Sequence, residues 1–176
     1  QLLEQLGLEN GFVVNEISEQ VLQESVVSST KIRASIAAHD IETANIFLGY
    51  PYFFDGLVVE GNKVGRTIGY PTANLHIAPE EKLIPSDGVY AVRVTINDAK
   101  EVYMGMMNIG VRPTIDGKKR VVEVNIFDFD ADIYGAQVKV ELYYYLRGEV
   151  KFDGLEGLKA QLLQDKNKAT TLLKSH

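Results

Sequence analysis

The stretch Gly61-Asn62-Lys63-Val64-Gly65-Arg66-Thr67-Ile68-Gly69-Tyr70-Pro71-Thr72-Ala73-Asn74 concentrates residue types suited to phosphate chemistry. Glycines at 61, 65 and 69 remove the Cβ atoms that would keep backbone N–H groups away from an anion. Arg66 adds a fixed positive charge whose planar fork of donors matches phosphate oxygens. Thr72 and Asn74 follow, one residue apart. On extended backbone, positions i and i+2 face the same side, so their neutral oxygens could share a hard cation already held by phosphates. Two familiar phosphate loops are excluded. No Lys-Ser or Lys-Thr pair follows the last glycine, and Pro71 stands where a dinucleotide-binding helix would have to begin. On its glycines alone, the stretch also reads as a tight hairpin followed by a proline turn.

Glu123 is the ionisable residue best placed to move a proton. Period-2 alternation from Val121 to Phe127 puts Val122, Val124 and Ile126 on one strand face. Glu123 and Asn125 share the other face with Val121 and Phe127. A carboxylate among apolar neighbours suits general-base work. The same pattern describes a charge on the solvated face of an antiparallel strand. Arg147 follows Tyr143-Tyr144-Tyr145-Leu146 and precedes Gly148, near a strand end. It could stack on a flat ring, grip a phosphate, or stand in solvent. Tyr134, in Asp132-Ile133-Tyr134-Gly135, reads as a turn aromatic. His39, His76 and His176 lack metal-ligand spacing, and none is assigned to catalysis. His39, beside a helix-capping Asp40, is expected to be solvated.

These residues need a β-framework to hold them. Segments Val89 to Ile96, Val102 to Ile109, Arg120 to Phe129 and Val138 to Leu146 are rich in β-branched and aromatic residues. Turn signals separate them at Asn97-Asp98, Asp116-Gly117 and Tyr134-Gly135. From Pro51 onwards, five or six such strands without intervening helices predict an antiparallel barrel or sandwich. An amphipathic helix closes the chain. Asp153 and Glu156 form a capping pattern for it, and Leu155, Leu158, Leu162 and Ala169 form an apolar stripe expected to cover the barrel as a lid. Residues 1 to 48 are α-rich. Gln1 to Leu8 reads as helix and Phe12 to Ile17 as a short strand. Ser28-Ser29-Thr30 caps a helix bearing Ile32, Ile36 and Ala37, and Asp40 caps a second with Ala44, Phe47 and Leu48, ended by Gly49 and Pro51.

The chain has 176 residues, is 45% hydrophobic and carries a net charge of −6. That suffices for one well-buried domain with part of another. An acidic chain without a Lys/Arg cluster does not suit nucleic-acid binding. With no cysteine, disulfides and thiolate metal sites are excluded. No apolar run reaches membrane-spanning length and no signal peptide is present, so a cytoplasmic location without membrane partners is expected. The start at Gln1 rather than Met suggests further residues upstream.

Four ordered stretches resemble the signature of riboflavin kinases. They are Gly61 to Asn74, Met107-Asn108-Ile109-Gly110-Val111-Arg112-Pro113-Thr114, Val122-Glu123-Val124-Asn125-Ile126-Phe127-Asp128-Phe129, and Tyr145-Leu146-Arg147-Gly148-Glu149-Val150-Lys151-Phe152. The resemblance covers roughly residues 50 to 170. It implies a six-stranded antiparallel Greek-key barrel with a C-terminal amphipathic helix. It also implies transfer of the γ-phosphoryl group of ATP to the 5′-hydroxyl of riboflavin, giving FMN and ADP. In that resemblance Glu123 is the catalytic base. Gly61, Lys63, Gly65, Arg66, Gly69, Tyr70, Pro71, Thr72, Asn74, Ile126 and Tyr134 bind nucleotide, with Mg²⁺ or another divalent cation on Thr72 and Asn74. Asn108, Arg147, Val150 and Phe152 contact flavin. A rival reading is a non-catalytic flavin-binding barrel that stores or delivers FMN. Ser28-Ser29-Thr30-Lys31-Ile32-Arg33 resembles a loop of nucleotidyltransferases. Residues 1–48 are therefore expected to be the end of an FMN adenylyltransferase domain, and 49–176 the kinase domain of a bifunctional FAD synthetase. The other half of an adenylyltransferase site, Gly-x-Phe-Asp-Gly-x-His-x-Gly-His, is absent from the chain.

Overall fold

The computed structural model describes residues 11, 21–22, 25–61, 64–78, 83–114 and 117–175. The segments Gln1 to Leu8 and Phe12 to Ile17, and His176, lie outside them. A two-residue hairpin, β1 (Val21–Leu22) and β2 (Ser25–Val26), precedes two short helices. In α1 (Ser29–Ala37) the Ser28 side chain accepts from the Lys31 N–H at 3.3 Å. In α2 (Ile41–Leu48) Asp40 accepts from the Thr43 N–H at 3.1 Å, and Gly49, at φ 77°, ends the helix. Both ends follow from capping chemistry.

Six strands then close a barrel: β3 (Tyr52–Val59), β4 (Ala73–His76), β5 (Gly88–Ile96), β6 (Val102–Thr114), β7 (Gly117–Ile126) and β8 (Gln137–Arg147). Their order around the barrel is β3-β4-β7-β6-β5-β8, and every pairing is antiparallel. Strands β5 to β7 form a meander and β8 returns beside β5, which is a Greek key. Closure pairs each of the six strands with a neighbour on both sides of the barrel. The β5–β6 turn has Asn97 and Asp98 at φ 47° and 54°, as a tight hairpin requires. Strand β6 runs five residues beyond the expected Ile109, and β7 stops at Ile126 rather than Phe129. Phe127 and Asp128 form a turn there, with Asp128 at φ 54°. One helical turn, α3 (Val64–Thr67), interrupts the expected helix-free β region.

Alternate strand positions feed two separate cores. Phe54, Tyr90, Val92, Met107, Val124 and Leu142 point inward and fill the barrel. Val89, Ala91, Met106, Phe127 and Leu146 point outward. They are covered by the C-terminal helix α4 (Leu155–Lys174), which packs on β5, β6 and β8 through Ala169 and Leu173. The helix thus covers the barrel as expected, lying along its outer wall, and Leu158 and Leu162 of its stripe also line a cavity. Its expected Asp153–Glu156 cap is corrected. The N-cap is Gly154, at φ 145°, with no side-chain capping bond, so Asp153 lies one residue outside the cap. Glu156 instead bonds Lys159 at 3.2 Å. Leu155 is 56% exposed and outside the stripe, and Leu173 replaces it as a buried member.

The helix pair α1–α2 is fastened to the barrel. Ile41 is 1% exposed and belongs to the barrel's interior cluster. The Asn45 amide donates to the Leu142 carbonyl at 2.8 Å, and its oxygen accepts from the Tyr52 N–H at 2.7 Å. His39 is half-buried, where solvation was expected. Its positive φ of 66° turns the ring onto Tyr145, with centroids 4.2 Å apart. The Tyr90 hydroxyl donates to the Ser86 carbonyl, so His39 Nδ1, 2.9 Å away, is the donor to the Tyr90 oxygen. Burial, reinforced by neighbouring Tyr145, raises the Tyr90 phenol above its usual pKa.

Because Ile41 belongs to the barrel core, Ile41→Ala should destabilise the whole fold by about 2–5 kcal/mol, the usual cost of deleting a buried branched side chain. Urea denaturation should show this loss in a single transition. A loss below roughly 0.5 kcal/mol would mean that the helix pair does not share the core.

Candidate active site

The barrel register assembles the site. Asn74 on β4 pairs with Glu123 on β7, and Glu123 pairs with Asn108 on β6. Asn108 pairs with Val89 on β5, and Val89 with Arg147 on β8. These five residues, far apart in sequence, form one cross-strand row. Val122, Val124 and Ile126 fill the barrel, so Glu123, on the opposite face of the strand, points outward. Asn125, two residues on, shares its face and is 7% exposed.

On β8 a bulge completes the row. Tyr90 pairs with Tyr145 but Val89 pairs with Arg147, so Leu146 has no partner in that ladder. Leu146 enters the outer core while Arg147 faces the same outer side. A bulge is the device that allows two consecutive residues to share a face.

Two cavities meet beside this row. One, of about 450 Å³, lies between the barrel wall, α4 and the loop after β8. Glu123, Asn108, Arg147, Val150 and Phe152 all line it, so the sequence-nominated base and flavin-contact set come together. Met106, Leu158 and Leu162 add apolar walls, and Gly65, Tyr70 and Asn125 close one side. The other cavity, of about 510 Å³, is lined by Arg66, Pro71, Thr72, Ile126 and Tyr134, with Asp130 and Asp132. Thr72 lines both cavities. The nominated nucleotide residues thus divide: Gly65 and Tyr70 face the first cavity, while Gly61, Gly69 and Asn74 line neither. Lys63 lies outside the described residues.

Close approach explains two of the glycines. A Cβ on Gly61 would fall on the Asn74 side-chain amide, so Gly61 is the seat of that side chain. A Cβ on Gly65 would meet the Tyr70 carbonyl, and the Tyr70 N–H donates to Gly65 O at 2.9 Å. The Asn125 amide donates to the Pro71 carbonyl at 2.6 Å and fixes the approach to Thr72. Sequence reasoning passed over Asn125, although its place two residues from Glu123 was the available signal.

Arg147 is neither in solvent nor simply aimed at a ligand. Its Nε lies 3.0 Å from each Asp165 carboxylate oxygen, and its Nη2 donates to Oδ2 at 2.7 Å. Nη1 donates to Gly148 O at 2.9 Å. Asp165, on α4, also lines the first cavity and is the second residue that sequence reasoning missed. Nothing in a helix pattern announces a buried acid whose partner lies on another element.

Comparison with known proteins places this arrangement among relatives. The Flavokinase family model, described as riboflavin kinase, matches residues 48–173. A bifunctional riboflavin kinase/FMN adenylyltransferase of Bacillus subtilis is 42% identical over 89% of this chain and 49% of its own length. That of Haemophilus influenzae is 41% identical over 94% of this chain and 53% of its own. The chain spans about half the length of these curated relatives. Riboflavin kinase from Trypanosoma brucei superposes with TM-score 0.55 at 26% identity, covering 70% of this chain and 80% of that one. A Streptococcus pneumoniae structure named as a macrolide-efflux protein superposes with TM-score 0.83 at 39% identity, covering 93% of this chain and 53% of that one. Among the described residues, no helix is long and apolar enough to cross a membrane.

The fit of Asn74 under Gly61 predicts that Gly61→Ala forces the amide to move and costs about 1–3 kcal/mol, as overpacking does. Denaturation of the variant measures it. An unchanged midpoint would mean that the loop yields freely and that Gly61 does not fix Asn74.

Proposed function

The chain belongs to the riboflavin kinase family, and from that premise we propose that it transfers the γ-phosphoryl group of ATP to the 5′-hydroxyl of riboflavin. The observation that carries this reading is the pair of cavities meeting at Thr72, with Glu123 in the more apolar one. A flat, largely apolar ring system suits the cavity of Met106, Phe152, Leu158 and Leu162. The nucleotide takes the other, where Arg66 supplies charge for phosphate oxygens and Ile126 and Tyr134 supply apolar surface for a base. The 5′-hydroxyl then loses its proton to Glu123 as its oxygen bonds the γ-phosphorus. The bond from that phosphorus to the β-phosphate oxygen breaks, and ADP and FMN leave. Positioning and charge stabilisation supply most of the rate. A non-catalytic FMN carrier would not need a carboxylate in that cavity.

Thr72 and Asn74 carry neutral oxygens of the kind a divalent cation takes. The Asn74 amide is seated by Gly61, one row position from Glu123, and Thr72 precedes it at the junction of the cavities. Thr72 and Asn74 would hold Mg²⁺ together with phosphate oxygens, and the cation would neutralise phosphate charge. We further infer that residues 1–48 end an FMN adenylyltransferase domain and that 49–176 are the kinase domain of a cytoplasmic bifunctional enzyme. The chain itself should not make FAD, because the adenylyltransferase histidine motif is absent from it. Helix α2, within residues 1–48, packs on β3 and β8 and contributes Ile41 to the barrel core.

Incubation of the chain with riboflavin and MgATP, followed by chromatography, should show FMN and ADP in equal amounts. ATP turnover independent of riboflavin, or flavin binding without FMN, would reject the kinase reading. Glu123→Gln keeps the side-chain shape but cannot take the proton, so turnover should fall by about 10²–10⁴-fold while ATP binding persists. A loss of only a few-fold would place the base elsewhere. Thr72→Ala and Asn74→Ala should each weaken ATP binding more with Mg²⁺ than without it. Calorimetry in both conditions decides, and equal losses would remove these residues from the cation.

A further inference from the structure

A carboxylate that is 3% exposed in the middle of an otherwise amphipathic helix requires an explanation. Asp165 has its charge matched by Arg147, whose side chain is 19% exposed, and it also accepts from Gln161 Nε2 at 2.9 Å. An ion pair this buried is weak grounds for stability, since apolar side chains of similar size often serve as well. Its geometry suggests another purpose. Asp165 clamps the Nε and Nη2 edge of the guanidinium and leaves Nη1 to hold the Gly148 carbonyl. Gly148 begins the loop that carries Val150 and Phe152 into the Glu123 cavity. The held guanidinium also stands 5.9 Å from the Phe152 ring centroid. Lys168, one turn further along α4, donates to Leu146 O at 3.0 Å and ties the bulge to the same helix. The far side of the loop rests on β6, where a Cβ on Gly110 would fall on the Glu149 carboxylate.

We propose that Asp165 is a positioning residue for riboflavin. Acting through Arg147, it fixes the direction in which the 148–152 loop leaves β8, and with it the wall against which the ring system packs. It acts on flavin affinity and leaves the nucleotide cavity alone, because neither Asp165 nor Arg147 lines that cavity. This inference rests on the kinase reading of the site.

The experiment compares Asp165→Asn, Asp165→Glu and Leu173→Ala with the parent chain. Leu173 is 1% exposed on the same helix and lines neither cavity, so its truncation loosens helix docking without touching the loop. Riboflavin Kd is read from flavin fluorescence, which needs no turnover, and KM is measured for both substrates. Asp165→Asn should raise riboflavin Kd and KM about tenfold and change ATP KM less than about twofold. Asp165→Glu, which keeps the charge, should recover part of the loss. Leu173→Ala should lower Tm without that selectivity. The proposal is overturned if Leu173→Ala raises riboflavin Kd as much as Asp165→Asn does. It is also overturned if both substrates are affected equally, or if the folded Asp165 variants bind riboflavin like the parent. Failure of both Asp165 variants to fold makes the residue a fold requirement and overturns it as well. A parent chain that binds riboflavin but makes no FMN would count against the kinase reading alone.

Discussion

The row Asn74–Glu123–Asn108–Val89–Arg147 exists only while five strands keep one register. A slip of one residue in any strand would turn its members of the row inward and drive apolar side chains out. Register is defended by burial. Val124, Met107, Tyr90 and Tyr145 form the adjacent row, which faces the barrel interior. Every outward polar residue of the row is therefore backed by an inward one. The barrel core thus positions the proposed chemistry without touching it.

The outer wall then has to be covered, because a row of polar residues on an open face makes no cavity. Helix α4 covers it, burying Ala169 and Leu173 on the outward residues of β5, β6 and β8. The helix does not cover the whole wall. Leu158, Leu162 and Asp165 line, together with strand residues, the cavity that Glu123 faces. One element thus completes the second core and forms a wall of the site. The Gly-rich segment bounds the opposite side, where Gly61 and Gly65 let the chain pass within contact of Asn74 and Tyr70.

The barrel was legible because strand periodicity is local. The strands β5 to β8, and the placing of Glu123 on the strand face opposite Val122, Val124 and Ile126, could be read from alternation and turn residues. What depends on distant partners could not. The bulge that puts Arg147 in the row requires the pairing of β8 with β5. The burial of Asp165 requires Arg147, and the contact of His39 with Tyr145 and Tyr90 requires a turn at positive φ that brings two regions together. The expected cap at Asp153 failed for a related reason. The local motif was present, but the chain enters the helix through Gly154. Individual site residues were nominated through resemblance, and the geometry adds why they can meet: Asn74, Glu123, Asn108 and Arg147 share a row.

The central claim is that Glu123 lies where the flavin hydroxyl meets the nucleotide. A crystal structure with riboflavin and a non-hydrolysable ATP analogue tests it most directly. The account predicts the ring system against Met106 and Phe152, the analogue beside Arg66 and Tyr134, and the 5′-hydroxyl within hydrogen-bond reach of the Glu123 carboxylate, about 2.6–3.2 Å. Flavin bound in the Arg66–Tyr134 cavity, or a hydroxyl turned away from Glu123, would contradict it.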